Sequence, residues 1–311
     1  MSAGRTGRIA AIALLLLLAG GLFVPDWLRF LLTVAMAQGL VALGLTVQLR
    51  AGLLSFGQAL YYCLGAYAAA ALGRFLNSGD VILQMVAAAA AAGVAAAVLG
   101  LLVARYRGIF YGLLSLALSM ILYGLLVKTE ALGSTDGINI LPSTLFGVRP
   151  SQAWLRYSVL ATAGLVAFAA VLAVERHFNT PLGRLGPAIR DNEIRVEYMG
   201  ASVRAIIHIE YVIAAVLSAV GGALAATTVG HIDPDMAYWT TSGEFVFIAI
   251  LAGSGSVLAP FLGAIVYGLI HSTAYQLSPN TWQMTLGIAL LLVILLLPRG
   301  LWSLFPQRRS A

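Results

Sequence analysis

Long apolar runs separated by short polar stretches are the main pattern along this chain. A helix that crosses the hydrocarbon core of a bilayer needs about 20 mostly apolar residues, or somewhat fewer when long charged side chains flank it. This measure predicts ten spans, at residues 9–24, 29–49, 55–73, 81–104, 108–127, 153–174, 204–228, 239–252, 257–276 and 281–298. The shortest, 239–252, has two alternatives: a re-entrant half-helix, or a merger with its neighbour. The predicted fold is an all-α polytopic membrane protein, with one transmembrane domain over residues 1–311.

The composition agrees with a chain that lies mostly in a lipid bilayer. Of its 311 residues, 60% are hydrophobic and 10% are charged, whereas a soluble globular protein has about a quarter of its residues charged. The net charge of +6 does not indicate nucleic acid, because the arginines lie at the ends of apolar runs. We therefore expect a bilayer and no nucleic acid as partner. The single cysteine, Cys63, can form no intrachain disulfide.

The amino-terminal segment imitates a signal peptide. Arg5 and Arg8 precede the apolar run at 9–24, and residues 35–37 resemble a cleavage site. Between the two features lie Pro25, Asp26, Trp27 and Arg29, and a second apolar run contains the supposed site. We therefore expect 9–24 to remain as the first span.

The distribution of basic residues predicts the orientation. With the amino terminus inside and ten alternating spans, thirteen Lys and Arg residues fall on the inner side and five on the outer side. The positive-inside rule then places both termini in the cytoplasm. It also places there the longest charged passage of the chain, residues 178–200.

Within that charged passage the sequence predicts one short helix over residues 187–199, closed by Gly200. Prolines suit a first helical turn, and Asn179 and Thr180 can cap. Spacings of three and four residues allow Arg190 to pair with Glu193 and Asp191 with Arg195, and Ile194 and Tyr198 form a small apolar ridge. Such a helix lies across a membrane face. The alternative is a solvated loop between two spans.

Two passages combine glycine with polar residues inside apolar runs. Residues 50–67 contain Ser55 and Gln58, and residues 251–263 contain Ser256. Irregular backbone at membrane depth persists only against protein or water, so we expect these three side chains to line a transport pathway. The alternative is that small residues pack helices closely together. The second passage lacks the terminal Lys and Ser or Thr of a P-loop, so we expect it not to bind ATP.

Acidic and histidine side chains give little sign of other chemistry. His208 and Glu210 are two residues apart and should face different ways. The spacing of His231, Asp233 and Asp235 matches no compact metal-binding motif, so no metal site is predicted. Glu244 begins an apolar stretch, and we expect it near the outer mouth of the pathway.

Five segments, taken in order, resemble the permease subunits of ABC importers of the branched-chain amino acid type. They are the passage at 50–67, RYRGIFY at 105–111, the turn at 133–137, TPLGRLGPAIRDNEIRVEYMGASV from Thr180, and the glycine-rich passage at 251–263, and a proline-arginine-glycine-leucine ending follows the last span. The similarity extends from about residue 49 to residue 305. One departure is Gly186-Pro187, where the family has arginine-alanine.

In that family the charged passage, here residues 178–203, is a cytoplasmic coupling segment that docks on an ATP-hydrolysing subunit. The matching residues are Pro181, Leu182, Gly183, Arg190, Asn192, Glu193, Glu197 and Gly200. The resemblance implies the longer of two paired permeases in a bacterial inner membrane, working by alternating access. Its implied partners are a second permease, two ATP-binding subunits and an extracytoplasmic substrate-binding protein. The chain itself would be non-catalytic, with no cofactor, and ATP would be bound by its partners.

Three alternatives remain at this point. Urea and short-amide importers share the permease family, and nothing in the residues names the cargo. A proton-coupled secondary transporter would need acids or histidines in the middle of its spans. A membrane-embedded enzyme would need a convergent catalytic set, whereas His208, His231 and His271 are scattered along the chain.

Overall fold

The computed structural model describes residues 3–149, 151–253, 255–277, 281–297 and 300–304. Within these residues the chain forms twelve α-helices and two short strands. The helices are α1 (Ala3–Phe23), α2 (Asp26–Arg50), α3 (Gln58–Leu76), α4 (Val81–Val103), α5 (Gly108–Lys128), α6 (Gln152–Asn179), α7 (Pro181–Asp191), α8 (Glu193–Tyr198), α9 (Val203–Val229), α10 (Trp239–Ala252), α11 (Ala259–Leu277) and α12 (Trp282–Leu296). The expected cytoplasmic ends, residues 1–2 and 305–311, lie outside the described residues.

Ten of these helices coincide with the ten apolar segments of the sequence. Seven of them, α1 to α6 and α9, are long and apolar enough to cross a membrane. α11 has 19 residues but carries polar side chains in its last two turns, and α12 has 15 residues. The prediction of an all-α polytopic membrane protein is therefore confirmed.

Helix α10 is a separate helix that is too short to cross the hydrocarbon core, and its re-entry stays a prediction. Its 14 residues span about 21 Å at 1.5 Å per residue, less than the ~30 Å hydrocarbon core. Gly253 ends it with φ +78°, a conformation that favours glycine. α10 therefore does not merge with α11.

Helices α2, α3 and α9 form the centre of the bundle. Within the protein, 78% of the α2 span is buried, against 17% of α1. Small residues permit close contact: Gly44 lies against the Ala214 carbonyl, Gly65 against the Ala219 backbone and Gly222 against the Tyr62 carbonyl. Van der Waals packing of this kind holds helices together in lipid, where the hydrophobic effect between helices is absent.

The loop after α5 and the segment after α9 are joined by a small antiparallel sheet, β1 (Ile138–Asn139) with β2 (His231–Ile232). The His231 ring and the Asn139 side chain are also in hydrogen-bond contact, at 2.9 Å. This sheet lies at the end of the bundle opposite α7 and α8. We call the end that carries those two helices the α7–α8 end.

Candidate functional site

The charged passage forms two helices in place of the single helix predicted at 187–199. Thr180 caps α7, because its hydroxyl accepts a hydrogen bond from the Gly183 amide at 3.2 Å, and Pro181 occupies the first turn. α7 continues through Pro187 and ends at Asp191. The predicted start was therefore six residues too late, since Thr180 and Pro181 already supply the cap and the first turn.

Asn192 separates the two helices. Its extended backbone (φ −161°, ψ 100°) ends α7, and its side chain accepts a hydrogen bond from the Arg195 amide at 2.9 Å, which caps α8. Gly200, with φ +85°, ends the segment as the sequence predicted. α8 is therefore a short, distinct helix with a change of direction at each end.

Helix α7 rests directly on the ends of α6 and α9. Gly183 lies against the His177 carbonyl, and a Cβ at position 186 would be 2.8 Å from the Glu210 carboxylate. Ile189 is buried on the same side. Glycine occupies both contact points. Because it has no Cβ, the α7 backbone can lie closer to α6 and α9 than it could with any other residue at these positions.

Helix α8 has an inner and an outer face. Glu193 and Val196, three residues apart, face the protein, and Val196 is 1% exposed. Ile194 and Tyr198 face outward with 64% and 88% of their surface exposed, which confirms the apolar ridge. Of the other sequence-predicted residues, the exposed ones are Pro181, Leu182, Arg190, Asn192, Glu197 and Gly200.

The partner of Glu193 differs from the prediction. The spacing predicted a pair with Arg190, but the Glu193 carboxylate instead receives Arg107 Nε at 3.0 Å from both its oxygens and Arg107 Nη2 at 2.8 Å. Arg107 lies in the turn between α4 and α5, 86 residues away. Sequence spacing along one helix cannot reveal such a distant contact, and the break at Asn192 changes the geometry on which the expected pair depended.

A polar cavity of about 540 Å³ lies beside α7. Charged and polar side chains line it, among them Arg50, Glu175, Asn179, Arg190, Asp191 and Ser256. The Arg50 guanidinium lies 3.8 Å over the Phe178 ring. The predicted pathway residue Ser256 is thus found at the α7–α8 end, where its hydroxyl accepts a hydrogen bond from the Leu258 amide.

The other glycine-containing passage enters the bundle as irregular chain. Between α2 and α3, residues 51–57 form no helix, although Leu53 and Ser55 are fully buried. Their backbone is satisfied locally and by neighbours: the Leu53 amide donates to the Gln48 carbonyl and the Phe56 amide to the Ser115 hydroxyl. Irregular backbone at this depth is covered by protein, as lipid requires.

Gln58 belongs to a buried polar cluster, whereas the buried Ser55 hydroxyl accepts a hydrogen bond from the Gly57 amide at 3.2 Å. Gln58 Nε2 donates to Gln48 Oε1 at 2.9 Å, and Ser218 donates to Gln58 Oε1 at 2.7 Å. Ser218 lies 15 residues into α9, about 22 Å from its start, so α3 begins well inside the bundle. The Ala59 amide donates to Ser242 in the first turn of α10, so α10 begins there too.

Sequence reasoning missed two members of this cluster, Gln48 and Ser218, and two serines nearby, Ser115 and Ser242, which accept hydrogen bonds from the Phe56 and Ala59 amides. Gln48, Ser115 and Ser218 lie within apolar runs, whereas Ser242 follows two threonines. The apolar surroundings could have revealed the first three, because polar side chains within spans usually face other helices. They could not have shown that Gln48 and Ser218 converge on Gln58.

Glu244 lies in the second turn of α10, half-buried among aromatic side chains. Tyr62 of α3 and Tyr267 of α11 are its neighbours. It forms no hydrogen bond with the residues of the Gln58 cluster, and its carboxylate lies beside Tyr267 on α11.

The prediction that His208 and Glu210 face different ways is confirmed. His208 lies against Gly100 of α4, whereas Glu210 lies against Gly186 of α7. Among the residues that the structure describes, no three His, Cys, Asp or Glu side chains are grouped so as to hold a metal ion.

Comparison with known proteins gives consistent matches. A family model described as the permease component of branched-chain amino acid transport systems matches residues 28–295. The high-affinity branched-chain amino acid transport system permease protein LivM of Escherichia coli (strain K12) is 30% identical over 295 residues, which cover 86% of this chain and 68% of that protein. LivM of Salmonella typhimurium is 28% identical over 293 residues, with the same coverage. No solved structure gives a significant match.

Proposed function

The chain belongs to the permease family of branched-chain amino acid transport systems, and we propose that it is one of two paired permease subunits of an ATP-driven importer for these amino acids. In this proposal a second permease completes the pore, one of two ATP-binding subunits binds α7 and α8, and an extracytoplasmic binding protein delivers the cargo. The chain is a non-catalytic transport subunit, and ATP is bound and hydrolysed by its partners.

The outer face of α8 carries this proposal. Ile194 and Tyr198 are large apolar side chains, and both are strongly exposed within the most charged passage of the chain. Contiguous exposed apolar surface with a polar rim is typical of a protein–protein interface. Because α7 rests on α6 and α9 through Gly183 and Gly186, movement of a bound ATPase subunit would reach the spans directly.

The two glycine-containing passages, at 50–67 and 251–263, support a pathway for a zwitterionic cargo. An amino acid that leaves water needs apolar walls together with polar groups that replace its hydration, since unpaired polar groups in an apolar medium cost several kcal/mol. Ser55 and Gln58 supply such polar groups within the bundle. Glu244 lies near the aromatic rings of Tyr62 and Tyr267, and Ser256 lies at the α7–α8 end. In alternating access these residues would be exposed in turn.

The charge distribution supports the orientation. Arg107, Arg184, Arg190, Arg195 and Arg204 all lie at the α7–α8 end, and the positive-inside rule assigns that end to the cytoplasm. We therefore place the chain in a bacterial inner membrane with both termini inside. ATP is available on this side.

Transport by the reconstituted complex tests the proposal. The complex is purified from its native membrane through an affinity tag on this chain and is reconstituted in liposomes. The liposomes enclose ATP, and the binding protein is added to the outside. We expect ATP-dependent uptake of radiolabelled leucine, with competition by isoleucine and valine. Uptake of urea or acetamide in place of leucine would assign the chain to the other branch of the family, and ATP-independent uptake driven by a pH gradient would contradict an ABC mechanism.

A further inference from the structure

Arg107 binds three groups at the α7–α8 end at once. Its Nε and Nη2 atoms hold the Glu193 carboxylate at 2.8–3.0 Å, and its Nη1 atom donates to the Ala104 and Tyr106 carbonyls at 2.8 Å. A guanidinium bound in this two-sided way has a fixed orientation, unlike the flexible single contact that most surface ion pairs make. The turn between α4 and α5 and the start of α8 therefore form one unit.

The pair suits the ends of α4 and α8. The Arg107 guanidinium binds the Ala104 carbonyl at the carboxyl end of α4, where carbonyl groups lack helical partners. Glu193 is the first residue of α8, where a negative charge is favourable. Each side chain is about one-third exposed, so the pair is only partly screened by water.

Helix α8 has few other attachments to its own protein. Its inner face has Glu193 and the buried Val196, and its two ends are defined by Asn192 and Gly200, where the chain changes direction. Movement of α8 therefore has three routes into the bundle: along the backbone, through the packing of Val196 in the core, or across the contact with Arg107.

Helix α5, which begins next to Arg107, touches two irregular segments. Ser115 accepts a hydrogen bond from the Phe56 amide in the segment 51–57 at 3.1 Å. One turn further, Ser119 donates to the Ala237 carbonyl at 2.8 Å, just before α10 begins. A shift of α5 would thus act on the segment 51–57 and on the segment that precedes α10.

We propose that the Arg107–Glu193 ion pair transmits the movement of α8 to α5, and that Arg107 is a positioning residue for ATP-driven transport. This inference rests on the function proposed above and deepens it, because it assigns Glu193 an internal role in place of direct contact with the ATPase. A continuous series of contacts does not by itself establish coupling. The decisive evidence is a double-mutant cycle in the intact complex.

The variants are Arg107→Ala, Glu193→Ala and the double Ala variant. Arg105→Ala is the matched control, because Arg105 is an exposed arginine in the same turn. The readouts are leucine uptake per ATP hydrolysed, and the change in hydrogen exchange of residues 51–57 when nucleotide is trapped. Membrane insertion and complex assembly are checked for each variant.

We expect both single variants to lower uptake per ATP by about fivefold, the size of a partly exposed ion pair, with the double variant no worse than either. Arg105→Ala should resemble the wild type. The nucleotide-dependent change in hydrogen exchange at 51–57 should be lost in both single variants. A loss in Glu193→Ala without one in Arg107→Ala would overturn the inference, and so would losses that add up in the double variant.

The exchange readout separates this inference from the assignment of the cargo. If the wild-type complex does not transport leucine, the proposed cargo is wrong. The link is still supported if residues 51–57 respond to nucleotide in the wild type and not in Arg107→Ala, and it is refuted if they respond equally in both.

Discussion

Gln58 and Ser218 are joined by a hydrogen bond of 2.7 Å between the first turn of α3 and the middle of α9. Gln48 binds the other end of the Gln58 carboxamide at 2.9 Å, and all three side chains are buried. Polar contacts of this kind replace water inside the bundle. The hydrogen bonds of Gln58 fix the first turn of α3 inside the bundle, directly after the irregular segment 51–57.

Gln58→Leu should lower the free energy of unfolding by about 1–2 kcal/mol, because Gln48 Oε1 is then a buried acceptor without its donor. Thermal unfolding in detergent, followed by near-UV circular dichroism, measures the change. Gln276→Leu is the control, since Gln276 is exposed on α11. Equal stability of the two variants would show that the buried cluster contributes nothing.

Gly65→Val should destabilise the protein more strongly. A Cβ at position 65 overlaps the Ala219 backbone, so α3 and α9 must separate, and overpacking costs about 1–3 kcal/mol or more. Gly124→Val in α5 is the matched control, because nothing lies within 4 Å of a Cβ there. We expect a lower yield of folded protein in the membrane for Gly65→Val alone, and equal yields would contradict close α3–α9 contact.

Most of the fold could be predicted from the sequence, and the reason is the bilayer. The requirement for about 20 apolar residues places helices such as α2, α4 and α9 within a few residues of their observed bounds. The Gly200 stop and the outward face of Ile194 and Tyr198 were also predictable, since local geometry determines both.

What the sequence could not supply are contacts between distant segments. The pair Arg107–Glu193 and the convergence of Gln48, Gln58 and Ser218 depend on how helices pack. The early start of α7 is a local feature, since Thr180 supplies the cap and Pro181 the first turn. Ser256 resembled Ser55 in sequence context, yet it lies at the α7–α8 end rather than in the Gln58 cluster.

The orientation of the chain can be tested by thiol labelling from outside intact cells. In a Cys63→Ala background, a cysteine at Thr135, next to Gly137, should react with a membrane-impermeant maleimide. A cysteine at Arg184 should react only after permeabilisation, because the positive-inside rule places it in the cytoplasm. Both positions are exposed. Labelling of position 184 in intact cells would reverse the proposed orientation.

The cargo route can be tested with cysteines at positions 55, 58, 244 and 256 in the same background. Because Ser55 and Gln58 are 1% exposed, we expect no labelling at 55 and 58 without nucleotide. Position 256, on the wall of the cavity beside α7, should react in that state. Nucleotide trapping should change the labelling of at least 55 and 58. If 55 and 58 remain unreactive in every nucleotide state, those residues pack helices and do not line a pathway.

Photo-cross-linking from position 198 tests most directly whether α8 couples this permease to ATP hydrolysis. A benzophenone amino acid replaces Tyr198, whose side chain is 88% exposed, and the assembled complex is irradiated in native membranes. The matched control places the same amino acid at Val148, which is 67% exposed at the opposite end. The account predicts a covalent adduct with an ATP-binding subunit from position 198 and none from position 148. Adducts with lipid alone from position 198, in a complex that retains its ATP-binding subunits, would contradict it.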